Sequence, residues 1–117
     1  MVATDPDNTS GSKKRERRRH LRTKVAVEVE LHLEGARAPL RVKTADLSLR
    51  GFHTEMMFTL EVGTRLKIVL WIVGVKLSTG GVVVTRHLQV GNGIEFTDMA
   101  PEDRLKLKRF LDAYSPP

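Results

Sequence analysis

From Lys24 the chain alternates: Val25, Val27, Val29, Leu31 and Leu33 are apolar, and Ala26, Glu28, Glu30, His32 and Glu34 stand between them. A period of two sends alternate side chains to opposite faces of an extended backbone, so this stretch predicts a β-strand with one buried face. Gly35 to Pro39 predicts a turn, and Leu40 to Thr44 a returning strand whose Arg41 and Lys43 face solvent beside the glutamates of the first. Phe52, Thr54 and Met56 alternate with His53 and Glu55 as a third strand, which ends in a loop through Gly63. Leu66 to Val73 and Val75 to Thr85 predict two more strands around Gly74, the second carrying a bulge or sharp coil at Gly80 and Gly81. Gly91-Asn92-Gly93 supplies turn chemistry before a last strand at Ile94-Glu95-Phe96.

The period changes near the end. Pro101 suits a first helical position, Glu102 and Asp103 suit the positive end of a helix dipole, and Leu107, Phe110, Leu111 and Tyr114 recur at helical spacing. The expected fold is all-β with one C-terminal helix over residues 101–114. Six short antiparallel strands in a small domain favour a closed six-stranded antiparallel β-barrel, because closure removes exposed edges. Residues 1–12 are polar and predict a disordered N-terminal tail; residues 25–114 hold the barrel and its helix.

Composition narrows the function. A length of 117 residues with 40% apolar content suits one domain with one core. No apolar run reaches the roughly 20 residues of a spanning helix and no signal peptide is visible, so a soluble cytoplasmic protein is expected. Without cysteine, disulfides, thiolate metal sites and thiol catalysis are excluded. Residues 13–24 hold eight lysines and arginines against Glu16 alone, so this segment's +7 exceeds the chain's +6 and the remainder sums to −1. The anion-attracting surface is therefore expected to be local.

Two motifs carry candidate chemistry: Arg18-Arg19-His20-Leu21-Arg22 ahead of the first strand, and Asp46-Leu47-Ser48-Leu49-Arg50-Gly51 between the second and third. Alone, the first reads as a solvated or nucleic-acid-binding tail, and the second as a plain turn with Asp46 and Ser48 bonding nearby backbone and Gly51 tolerating positive φ. An enzyme is not expected. His20, His32, His53 and His87 stand on separate segments without ligand spacing and read as solvated residues, and Ser48 lacks a nucleophile elbow. Trp71, inside the run Ile68 to Val73, and the four methionines read as core.

Together the motifs resemble the PilZ family signature, an Arg-x-x-x-Arg pair followed about two dozen residues later by Asp or Asn, one residue, Ser, two residues and Gly. Arg18 and Arg22 match the first half; Asp46, Ser48 and Gly51 match the second. The resemblance runs from Arg17 to Tyr114, through Leu60-Glu61-Val62-Gly63-Thr64, Gly81-Val82-Val83-Val84 and Gly93-Ile94-Glu95-Phe96, with no departure at a signature position. It implies a six-stranded barrel that binds cyclic di-GMP, with no cofactor.

The residue chemistry suits that ligand. An arginine fork meets the paired O6 and N7 acceptors of guanine, guanidinium planes stack on bases, and phosphates take charge-assisted bonds. An ionised Asp46 accepts from the N–H donors of guanine's Watson–Crick edge, Ser48 adds a hydroxyl, and Gly51 lets base or backbone approach. The resemblance further implies that Arg17 extends the site toward a second stacked nucleotide, and Arg19 is counted with the ligand-binding arginines of the run. It also makes the strand end at Arg86 a platform near the ligand. The expected function is a ligand-responsive adaptor acting on a downstream protein that the sequence does not identify. The alternatives are a type IV pilus or motility interaction module without ligand, and a small nucleic-acid-binding barrel. The latter is disfavoured because only 5% of the chain is aromatic.

Overall fold

The computed structural model describes residues 22–57 and 59–114. Their strands are β1 (Glu28–Leu33), β2 (Leu40–Leu47), β3 (Gly51–Glu55), β4 (Arg65–Ile72), β5 (Val75–His87) and β6 (Gly91–Thr97), followed by the helix α1 (Pro101–Tyr114). They close in the order β1-β2-β3-β6-β5-β4, each pair antiparallel. Closure gives every strand two hydrogen-bonded neighbours and leaves no edge for another chain to extend.

The alternation read from the sequence is the alternation of the wall. Val27, Val29 and Leu31 point inward with Leu47, Phe52, Ile68, Leu70, Leu77, Val83 and Ile94, and α1 adds Leu107 and Leu111 to the same core. Tyr114, expected on that helix face, is exposed and packs instead against Phe110, with ring centroids 4.7 Å apart and the ring planes tilted by 45°. Outside, Glu28 pairs with Lys43 and Glu30 with Arg41, the latter as an ion pair of 3.2 Å.

Several local expectations need correction. Regular pairing of the first strand begins only at Glu28, because the preceding chain leaves β4 and crosses toward β2, where Thr23 bridges Leu47. The turn before the last strand is Leu88–Val90, with Gln89 at a φ of 64°, and Gly91, Asn92 and Gly93 belong to β6. The irregularity of β5 falls between Val83 and Thr85 and not at Gly80-Gly81, whose missing side chains make room for Thr97 and Ile68. Trp71 is 44% exposed, because its register with Glu28 and Lys76 puts it on the outer face, where the Lys76 ammonium stands 5.5 Å from the ring centre. Met57, another expected core residue, is 79% exposed on the connection after β3.

Candidate nucleotide-binding face

The second motif builds a hairpin. β2 continues to Leu47, three residues beyond its expected end, so Asp46 lies on a strand and pairs with His53 across the ladder. Ser48 closes the turn: its N–H donates to the Gly51 carbonyl at 2.8 Å. Its hydroxyl accepts from the N–H groups of Arg50 at 3.1 Å and Gly51 at 3.3 Å, and donates to the Gly51 carbonyl at 3.3 Å. One donation and two acceptances exhaust a hydroxyl, and Ser48 is only 2% exposed. The side chain expected to touch ligand is thus spent on shaping the turn.

Gly51 has no positive φ. Its requirement is the approach of β6, since a Cβ there would collide with the Ile94 carbonyl oxygen and press on the Glu95 Cα. The close approach expected of this glycine is therefore made by backbone.

Arg22 is brought to Asp46 by two backbone bonds. Thr23 N–H donates to the Leu47 carbonyl at 2.8 Å, and Leu47 N–H to the Thr23 carbonyl at 2.9 Å. This antiparallel bridge sets Arg22 on the Ser48 side and diagonal to Asp46, and Arg22 Nη1 reaches back to Asp46 Oδ1 at 3.1 Å across 24 residues of sequence. Half of each signature thus meets in one ion pair. Arg17, Arg18 and Arg19 lie outside the described residues.

His53, read from sequence as merely solvated, stands in the centre of this face. Its Nδ1 lies 3.1 and 3.2 Å from the two Asp46 oxygens and also meets Arg22 Nη1. The signal was available in the alternation: Phe52 and Thr54 point inward, so His53 points outward, two residues after Gly51 and opposite Asp46. Gly93 comes next on the neighbouring strand and Thr85 beyond it. A Cβ on Gly93 would collide with Thr85 Oγ1 and come 3.1 Å from His53 Cδ2 and Nε2, so the missing side chain lets the His53 ring and the Thr85 hydroxyl close over the buried glycine. The outer row Asp46, His53, Gly93, Thr85 is therefore a polar strip with Arg22 at one end. Arg50 and Glu95 form a further ion pair of 3.0 Å beside it.

Arg86 is not on this strip. It is the neighbour of Thr85 along β5, pairs with Asn92, and so takes the opposite side of the ladder, where its Nε donates to Thr59 Oγ1 at 2.9 Å. Asn92 was also missed in the sequence. Fully buried, it accepts from Leu60 N–H at 2.7 Å and donates to the carbonyls of Leu60 at 2.8 Å and Thr85 at 3.0 Å. Arg86 and Asn92 together hold the connection between β3 and β4. Among the described residues there is no helix long and apolar enough to cross a membrane, and no group of three or more side chains suited to a metal ion.

A closed six-stranded antiparallel barrel, with one helix and an arginine seated on the carboxylate of an Asp-x-Ser-x-x-Gly hairpin, defines a class of small β-barrel domain. The PilZ domain model matches residues 16–113, and the chain belongs to the PilZ domain family. Solved structures share the fold. The inhibitor of motility MotI/DgrA of Bacillus subtilis superposes with a TM-score of 0.70 at 16% identity, covering 83% of this chain and 51% of that one. The chain thus spans about half the length of that protein. The PilZ domain of YcgR from Escherichia coli, solved with c-di-GMP, gives 0.66 at 18% identity over 84% of this chain and 91% of that one. The PilZ domain of CeSA from a cellulose-synthesizing bacterium gives 0.62 at 18% identity over 79% and 95%. Among curated proteins no sequence matches the chain.

Proposed function

We propose that this PilZ domain is a cyclic di-GMP receptor that performs no chemistry on its ligand and acts as a cytoplasmic adaptor on a downstream protein. The observation that carries the reading is the Arg22–Asp46 pair of 3.1 Å, held on the outer face beside the part-exposed His53. On that face a cation for phosphate or the Hoogsteen edge of guanine lies next to an acceptor for its Watson–Crick edge. The dense cationic run of residues 13–24 supplies further forks, and Arg17, Arg18 and Arg19 are assigned to the bases and phosphates of one or two stacked nucleotides. Ser48 and Gly51 act through the shape of the turn, and Arg86 is left out of the contact set. YcgR from Escherichia coli, a structural neighbour, was solved in complex with c-di-GMP, which supports the choice of ligand.

Titration calorimetry with cyclic di-GMP, with GTP and an oligonucleotide as controls, tests the reading. Saturable binding of cyclic di-GMP alone is expected. Preference for the oligonucleotide would replace the reading with nucleic-acid binding, and silence toward all three would leave a protein-interaction module.

A further inference from the structure

One ring nitrogen of His53 faces two partners that it cannot serve together. Bare, Nδ1 accepts from the Arg22 guanidinium; protonated, it donates to Asp46, whose oxygens lie 3.1 and 3.2 Å away. Each arrangement excludes the other. With the proton absent, Nδ1 turns its lone pair on the Asp46 oxygens. With the proton present, an N–H of His53 confronts an N–H of Arg22. Arg22 is the partner free to leave, since its side chain is 53% exposed while that of Asp46 is 23% exposed on a paired strand.

The other edge of the ring is oriented as well. Nε2 lies over β6, 3.1 Å from where a Gly93 Cβ would stand, on the same strip as Thr85, and the His53 side chain is 35% exposed. Among the described residues no partner for Nε2 is found. A ring protonated on both nitrogens therefore keeps Asp46 with one N–H and presents the other to the strip.

We propose that His53 is a further binding residue of this site: protonated and held on Asp46, it releases Arg22 to the ligand and offers Nε2–H, across Gly93, to a phosphate oxygen. The inference rests on the nucleotide reading above and adds to it a residue outside the family signature and a proton. Binding takes up as much as one proton from solvent, and that proton resides on the imidazole.

The charged groups that face the ring are Asp46 on β2, Glu55 two residues along β3 and the Arg22 guanidinium, with the dianionic ligand added on binding. His87 stands opposite Gly91 on β5, Thr85 carries no charge, and Glu95 on β6 is occupied by Arg50. Bound anion raises the proton affinity of the ring, so the added affinity is fully present at acidic pH and is lost as pH rises through the bound-state value. Between pH 5.5 and 8.0 imidazoles are the side chains that ordinarily change charge.

The test is calorimetric titration of the full chain with cyclic di-GMP at pH 5.5, 6.5, 7.5 and 8.0, in buffers of different ionisation enthalpy. The parent is expected to bind about tenfold more tightly at pH 5.5 than at pH 8.0, as it does when bound ligand raises the proton affinity of the ring about tenfold. It should take up a fraction of a proton near pH 6.5. His53→Gln keeps a hydrogen-bonding side chain that does not titrate; it should bind at the parent's pH 8.0 level throughout and take up no proton. His20→Gln and His87→Gln should keep the parent's pH dependence. A His53→Gln profile that follows the parent's, or a parent that binds with no pH dependence and loses binding on Arg22→Ala, would overturn the role of His53 and leave the nucleotide reading standing. A folded parent silent at every pH would overturn both.

Discussion

Replacing Ser48 with alanine separates the two roles its hydroxyl could play. The hydroxyl makes three contacts of 3.1–3.3 Å within the turn, while the 2.8 Å backbone bond from Ser48 N–H to the Gly51 carbonyl survives the change. The Arg50 and Gly51 N–H groups lose their acceptor at a site where Ser48 is 2% exposed, so water does not readily replace it. An unsatisfied buried donor costs about 1–3 kcal/mol, and because these bonds are long the lower end applies, giving about 1.5 kcal/mol for the variant. For a domain of this size that lowers Tm by about 6–12 °C. Thermal unfolding followed by circular dichroism reads the shift, and calorimetry well below Tm reads ligand affinity in the same preparation. The expected outcome is a clear loss of stability with affinity within about threefold of the parent, less than the ~1.4 kcal/mol of a tenfold change. An unchanged Tm with a tenfold or greater loss of affinity would show that the hydroxyl belongs to the ligand and that its turn bonds contribute nothing.

Other substitutions probe the frame around the site. Gly51→Ala drives a Cβ into the Ile94 carbonyl and should cost about 3 kcal/mol, visible as a lower urea midpoint; an unchanged midpoint would mean that β3 and β6 separate freely. Asn92→Ala leaves the Leu60 and Thr85 backbone groups unpaired and should also cost about 3 kcal/mol in the same assay; a loss below about 1 kcal/mol would mean that water replaces the amide. Arg86→Ala should change affinity for cyclic di-GMP by less than about twofold, or ~0.4 kcal/mol, because its guanidinium bonds Thr59 on the other side of the ladder; a tenfold loss would place it in the site after all.

What could be read from the sequence follows how local the cause is. The wall of the barrel was legible because inward positions such as Val29, Leu31 and Phe52 repeat with the strand period, and Pro101 with its acidic neighbours announced the helix. Glycine was misread where its reason is a neighbour far away in sequence. Gly91 and Gly93 look like turn residues, yet they are strand positions where a side chain would strike Thr54 or Thr85. Trp71 was misassigned because a run of apolar residues hides the period, and only the register with Glu28 decides which way it points.

The site divides in the same way. Arg22 and Asp46 were recognisable as members of one signature, but the Thr23–Leu47 bridge that joins them depends on the path of the closed sheet. Ser48 was recognisable as important; that its hydroxyl turns inward depends on the three backbone groups around it. His53 carries no motif: the alternation turns it outward, and its pairing with Asp46, which depends on the register of the closed sheet, marks it as part of the site.

On the proposed function, cyclic di-GMP occupies the outer face of the β2–β3–β6 wall beside Arg22 and Asp46. Titrating the ligand into the uniformly 15N-labelled chain and following backbone amide shifts tests both binding and place in one measurement. Saturable shifts are expected at Thr23, Asp46 to Gly51, His53 and Gly93, with Trp71 and its neighbours on β4 unmoved. Shifts confined to β1 and β4, or none in a folded protein at millimolar ligand, would show that cyclic di-GMP does not bind there.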